Sequence, residues 1–147
     1  MIIVIAKATK EDLPKILELQ KAAFHNGVWD SKTSPLKQTL SDITFDYQKG
    51  VILKVLGAKD EITGSIRAYN NEGTVHIEKL FVKSEFRNRR IGSELLRKIE
   101  SFFHARRFEV CTSEKEMSKM FEPQGYKPFK TDKTADGKTL FYFEKWR

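Results

Sequence analysis

The stretch Ile91 to Arg107 is the strongest helical signal in the chain, and its position between two strand-like segments constrains the fold more than any other feature. Ile91, Leu95, Leu96, Ile99, Phe102 and Phe103 recur on one face, while Arg97, Lys98, Arg106 and Arg107 fall largely on the other. Thr74 to Val82 precedes this stretch and Phe108 to Thr112 follows it, both short and β-rich. Strands joined through a helix lie parallel, because the helical crossover returns the chain to the end where the first strand began. Hairpin-linked strands elsewhere in the chain must then share a mixed sheet with this parallel pair.

Such hairpins are readable on both sides. Val51 to Ala58, Thr63 to Tyr69 and Thr74 to Val82 form an antiparallel meander, with turns at Lys59 to Ile62 and at Asn70-Asn71-Glu72-Gly73. Tyr126 to Lys130 and Lys138 to Trp146 close the chain as a hairpin around the turn Asp132 to Gly137. At the start, Ile2 to Lys7 is a strand, and Thr9 with Asp12 three places on begins a helix that carries Leu13, Ile16, Leu17, Gln20, Ala23 and Phe24 to a stop at Gly27. Ser34-Pro35 has the form of a cap with proline at the first helical position, and Leu36, Leu40, Ile43 and Tyr47 follow as a second helix. Ser113 caps a fourth helix to about Glu122, and Gly125 ends the turn that Pro123 begins. The expected fold is therefore one α/β domain over 1–147, in the order β-α-α-β-β-β-α-β-α-β-β, with a mostly antiparallel seven-stranded sheet flanked by four helices.

Composition narrows the function classes. The apolar opening is too short for a membrane span or a signal peptide, so no membrane partner is expected. Cys111 is the single cysteine, which excludes an internal disulfide and suits a cytoplasmic location. His25, His76 and His104 are widely spaced without ligand pairs, so no metal is expected. The net charge of +7 suits nucleic acid or a polyanionic small molecule equally. No reader motif or set of interleaved aromatics supports nucleic acid, and the arginines gather in one loop.

That loop runs from Leu80-Phe81-Val82 through Arg87-Asn88-Arg89-Arg90 into Ile91-Gly92-Ser93 at the head of the long helix. The first turn of a helix has backbone N–H groups without internal partners and the positive end of the helix dipole, so it can seat a phosphate. Gly92 permits close approach, Ser93 adds a hydroxyl, and Arg87, Arg89 and Arg90 add charge. An ordinary strand-to-helix connection with solvated arginines fits spacing and charge as well.

These residues resemble the GNAT acetyltransferase signature, in which a strand ending in Leu-x-Val leads into Arg/Gln-x-x-Gly-x-Gly/Ala and a helix. Arg87 takes the first position and Gly92 the last, while Arg90 stands where the first glycine is usual and must turn its side chain to solvent. The element order is also the GNAT order, and Phe121-Glu122-Pro123-Gln124-Gly125-Tyr126 is similar to the family's Tyr-x-x-x-Gly-Phe segment. The resemblance implies acetyl-CoA as acyl donor in a splayed gap between the two parallel strands. Pantetheine would pair with Leu80, Phe81 and Val82, pyrophosphate with Arg87 to Ser93, and adenine would lie near the fourth helix.

Acetyl transfer to an amine of a small molecule or peptide needs a proton acceptor, an oxyanion donor and a proton for the leaving thiolate. The backbone N–H of Leu80 or a neighbour is the oxyanion candidate. Glu78 is the first candidate base and His76 the second, because a period of two puts both on the face of Leu80. Phe121 stands where the family often has an acid tyrosine, and it cannot donate a proton. Tyr126 and Cys111 are expected as core residues. On the acceptor side the loop His25 to Thr33 offers Trp29 and Asp30, an aromatic face beside a carboxylate, and Arg67 and Tyr69 are candidates to reach the cavity from the second meander strand. The rival readings are a non-catalytic CoA-binding domain and a basic nucleic-acid-binding module. Sheet edges leave room for a homodimer.

Overall fold

A computed structural model describes residues 3–25, 28–87 and 90–147. The seven strands are β1 (Val4–Lys7), β2 (Val51–Leu56), β3 (Ile62–Asn71), β4 (Thr74–Val82), β5 (Arg107–Thr112), β6 (Lys127–Lys133) and β7 (Thr139–Trp146). The helices are α1 (Leu13–Ala23), α2 (Leu40–Lys49), α3 (Ile91–Glu100) and the single turn α4 (Ser118–Phe121). One sheet in the order β1-β2-β3-β4-β5-β7-β6 holds every strand, with β4 and β5 as its parallel pair. The crossover that demands this pair is α3.

Helix α3 is shorter than the periodicity predicts. It ends at Glu100, where the Ser101 hydroxyl donates back to the Lys98 carbonyl at 2.6 Å, and Arg107 begins β5 opposite Thr74. Other boundaries move for similar local reasons. Ser34 caps only a 3-10 turn over Pro35–Lys37, and Thr39 with Asp42 forms the capping box that starts α2. The Ser113 hydroxyl does not cap the fourth helix, because it accepts the Trp29 N–H. The turn between β3 and β4 tightens to Glu72-Gly73, both at positive φ, with Asn70 Oδ1 accepting the Gly73 N–H. The expected stop of the first helix at Gly27 lies outside the described residues.

The core has two layers. Under α3, Ile91, Leu95, Leu96 and Ile99 are all 2% exposed or less and pack on Leu53, Ile66, Val75, Ile77 and Val110 of the sheet. Burying those four side chains contributes roughly 6 to 12 kcal/mol as an upper bound. On the opposite face Leu13 and Ile16 from α1, Phe24 just past its end and Ile43 from α2 cover Ile52 and Phe81. Arg67 of β3 is buried in this second layer, where Nη1 donates to Gln20 Oε1 at 3.0 Å, Nη2 donates to Gln38, and Nε lies 3.0 Å from Asp46 Oδ2 as an ion pair without a well-aligned N–H···O bond. Burial lowers the Arg67 pKa, and Asp46, Asp30 and Glu78 oppose that shift. The arginine thus ties α1, α2 and the segment between them to the sheet beside the site.

Candidate active site

The parallel pairing of β4 with β5 runs only from Thr74 opposite Arg107 to Ile77 opposite Val110. Beyond that point β4 continues to Val82 and β5 to Thr112 without pairing with each other, and a cavity of about 600 Å³ fills the split. Arg87, Arg90, Gly92 and Ser93 line one end of it, Leu80, Phe81 and Val82 its length, and Glu78, Asp30 and Cys111 the other end. The structure therefore brings Asp30, from the loop after α1, to the same cavity as Glu78, the strand residues Leu80 to Val82 and the head of α3.

A β-bulge corrects the expected side-chain alternation. Ser65 pairs with Phe81 and Arg67 with Glu78, so Ile66 alone faces both Lys79 and Leu80. His76 and Glu78 keep a common face, but Leu80 crosses to the α3 side and packs on that core, while Phe81 joins the α1 layer. The period of two fails here because the extra residue resets the register. Lys79 carries the bulge at φ 56°, a left-handed conformation that is costly for a side-chain-bearing residue.

Lys79 is 2% exposed and fully engaged. Its backbone N–H donates to Asp30 Oδ2, and its ammonium reaches Asp30 Oδ1 at 3.0 Å, Glu78 Oε2 at 3.2 Å and the Ser31 hydroxyl at 3.3 Å. Burial alone would lower the pKa of this amine, but Asp30 and Glu78 outweigh it and hold the pKa above its ordinary value. The sequence carries one sign of this residue, a lysine two places after the apolar Ile77 and two before the apolar Phe81.

At the other end, Arg90 precedes α3 at φ 60° and ψ 17°, and its side chain is exposed. Arginine thus takes a left-handed backbone that glycine adopts without strain, and its side chain turns to solvent as expected. Arg87 Nε donates to the Val82 carbonyl at 3.2 Å, folding that side chain over the strand end. A Cβ on Gly92 would lie 3.3 Å from Met120 Sδ, so the glycine also admits the segment around α4. Asn88 and Arg89 lie outside the described residues.

Among the proton-handling candidates, Glu78 borders the cavity and pairs with Lys79, whereas His76 lies one step outward. His76 Nδ1 is 2.8 Å from Glu109 Oε2, and its ring stacks on Tyr69. Burial, then the charges of Glu78, Asp46 and Glu109, raise the Tyr69 pKa. Phe121 is buried against Tyr126 and Phe143 and borders the cavity without a proton to give. Tyr126 is 1% exposed and its hydroxyl donates to Glu100 Oε2 at 2.7 Å. Burial pushes the Cys111 thiol up to about 12, so its neutral form dominates.

On the acceptor side the loop contributes Val28 and Asp30 to the cavity lining, but not Trp29. The Trp29 N–H donates to Ser113 Oγ and its carbonyl accepts the Ser113 N–H, both at 2.7 Å. Tyr69 and Arg67 border a separate small void with Asp46 and Glu78. Glu109 and Ser113, which matter to this geometry, have partners far away in the chain and no local pattern to mark them. Among the described residues no group of three His, Cys, Asp or Glu is placed to hold a metal, and no helix is long and apolar enough to cross a membrane.

Comparison with known proteins agrees with this geometry. No curated protein matches the sequence. The structure is similar to a phosphinothricin acetyltransferase from Sinorhizobium meliloti solved with acetyl-CoA, at a TM-score of 0.83 and 14% identity, covering 99% of this chain and 89% of that one. It is also similar to the PaiA N-acetyltransferase of Thermoplasma acidophilum solved with coenzyme A, at 0.78 and 19% identity over 100% of both chains. A polyamine N-acetyltransferase of Drosophila melanogaster that forms N-acetylagmatine matches at 0.78 and 12% identity, covering 99% of this chain and 100% of that one. The family model of the acetyltransferase (GNAT) domain matches residues 20–145. The chain belongs to the GNAT acetyltransferase family.

Proposed function

We propose that this chain transfers an acetyl group from acetyl-CoA directly to the amine of a small molecule or peptide. The observation that carries this reading is the continuous cavity from the head of α3 along Leu80 to Val82 to Glu78. Pyrophosphate lies at Arg87, Asn88, Arg89, Arg90, Ile91, Gly92 and Ser93, where helix N–H groups and cationic side chains favour an anion. Pantetheine runs along Leu80, Phe81 and Val82, whose strand lacks a β5 partner there. The thioester then reaches the bulge, and the Leu80 N–H is the donor for the developing oxyanion.

Glu78 takes the amine's proton through water, with His76 as the alternative acceptor on the same face. The thiolate leaves without a side-chain acid, since Phe121 has none to offer. Trp29, Asp30 and Tyr69 bound the acceptor's approach. Asp30 contributes negative field rather than a free oxygen, because Lys79 engages both of its oxygens. Phosphinothricin and agmatine, the acceptors named for two similar structures, are small amines, which supports a small acceptor. A single cysteine suits a reducing cytoplasm.

Release of free CoA thiol from acetyl-CoA in the presence of a broad amine panel tests the reading. At least one amine is expected to raise the rate, and Glu78→Gln is expected to lower that rate about 100-fold with little change in donor KM. A chain that retains CoA but releases no thiol with any amine is a CoA-binding domain and not an enzyme.

A further inference from the structure

The loop on the acceptor side is fastened to both arms of the split. At Asp30 it grips the bulge of β4, through the Lys79 backbone N–H and the ammonium 3.0 Å from Oδ1. One residue earlier, Trp29 grips the end of β5, exchanging two 2.7 Å hydrogen bonds with Ser113. Adjacent residues therefore span the gap where β4 and β5 no longer pair. The Asp30 tie is buried, since Lys79 is 2% exposed and its ion pair sits beside the buried Arg67 network, and the Trp29 tie is half-buried.

From this we infer that Trp29-Asp30 is a strut that sets the width of the split and thereby limits the length of acyl chain the donor site accepts. The inference rests on the reading of the split as the acyl-CoA site. Where the strut crosses, Phe24, Val28, Asp30 and Cys111 border the cavity, and Val28 and Asp30 belong to the strut's own segment. An acyl group that extends past the thioester at the bulge meets this wall. Its position depends on the two ties, because the β4–β5 ladder ends at Ile77 and Val110 and this segment is hydrogen-bonded to both strands' continuations beyond that end. Asp30 and Ser113 are thus positioning residues for donor selectivity.

Calorimetric binding of free CoA, acetyl-CoA and butyryl-CoA tests the strut without needing an acceptor. The wild-type chain is expected to bind acetyl-CoA about tenfold or more tightly than butyryl-CoA, the scale of discrimination that added methylenes produce in a shaped pocket. Ser113→Pro removes both the hydroxyl that accepts the Trp29 N–H and the N–H that donates to the Trp29 carbonyl, and the double variant Asp30→Ala, Lys79→Gly removes the other tie without leaving a buried unpaired cation. Each is expected to shrink the preference to roughly threefold or less, with affinity for free CoA within about threefold of wild type. The strut is overturned if the preference is unchanged in either variant once circular dichroism shows that variant folded, or if the wild type has no preference. A chain that binds no CoA removes the donor site and the strut together. Failure to turn over amines bears only on the enzymatic reading, because the binding ratio is measured without chemistry.

Discussion

His76 Nδ1 lies 2.8 Å from Glu109 Oε2, across the parallel pair, while the imidazole stacks on Tyr69 with centroids 5.2 Å apart and planes 20° apart. A carboxylate only accepts hydrogen bonds, so Nδ1 is the donor to Glu109 and Nε2 is the ring nitrogen left to accept a proton. Arg107 braces Glu109 from the other side, with Nη2 3.6 Å from Oε1 while its Nε donates to Glu144 at 2.9 Å. Nitrogen NMR of the imidazoles is expected to show His76 as the Nδ1–H tautomer. Glu109→Gln is expected to mix the tautomers and, if His76 shares the proton with Glu78, to lower turnover about tenfold with donor KM unchanged. Equal turnover in Glu109→Gln would leave Glu78 as the sole acceptor.

Tyr126 is committed to the core. Removing its hydroxyl with Tyr126→Phe is expected to cost about 1 to 2 kcal/mol, because Glu100 loses one partner but keeps Lys145 Nζ at 2.9 Å. Denaturant unfolding measures the loss. Turnover by the folded variant is expected to stay at the wild-type level, and a fall of tenfold or more would instead mark Tyr126 as the missing acid.

Arg90 separates stability from affinity. A left-handed backbone costs a non-glycine residue about 1 to 2 kcal/mol, and glycine's extra unfolded-state freedom returns roughly half of that. Arg90→Gly is therefore expected to leave the free energy of unfolding, measured by denaturant, unchanged or to raise it by up to about 1 kcal/mol. CoA affinity is expected to fall about three- to tenfold through loss of one cation, and to become less sensitive to salt.

Cys111 offers a pH test. Its thiol rises from an ordinary 9.0 to about 12 in the folded chain, chiefly through burial and then through the charge of Asp30. At pH 8 the thiolate fraction is roughly a thousandfold below that of a free thiol, so alkylation by iodoacetamide is expected to be slowed by about that factor until the chain unfolds. The unfolded thiol ionises first as pH rises, so this group's contribution to stability is present below pH 9 and is lost as pH climbs toward 12. Fast alkylation of the native chain at pH 8 would show the site to be open.

The elements were legible wherever a local pattern decided them. The crossover helix declared itself by its apolar face, although its end did not: Phe102 and Phe103 fit the helical period, yet β5 had to begin at Arg107 to meet Thr74. The loop proposed for phosphate was legible as charge at a helix head, while the backbone conformation of Arg90 was not, since arginine carries no sign of positive φ. The alternation on β4 misled for Leu80 because a bulge depends on partner strands, and nothing in the nine residues of that strand announces it.

The sequence by itself determined the order of helices and strands, that one parallel pair must exist, and that cationic charge gathers at the head of α3, because periodicity, capping and charge act within a few residues. Only the tertiary structure decided which side chains meet in the split. Lys79 with Asp30 is 49 positions apart, Trp29 with Ser113 is 84, and both depend on a loop returning to two strands at once. Burial then gave those contacts their force. An ammonium that would be solvated on an open strand is 2% exposed here, and it stays charged only because carboxylates from two segments enclose it.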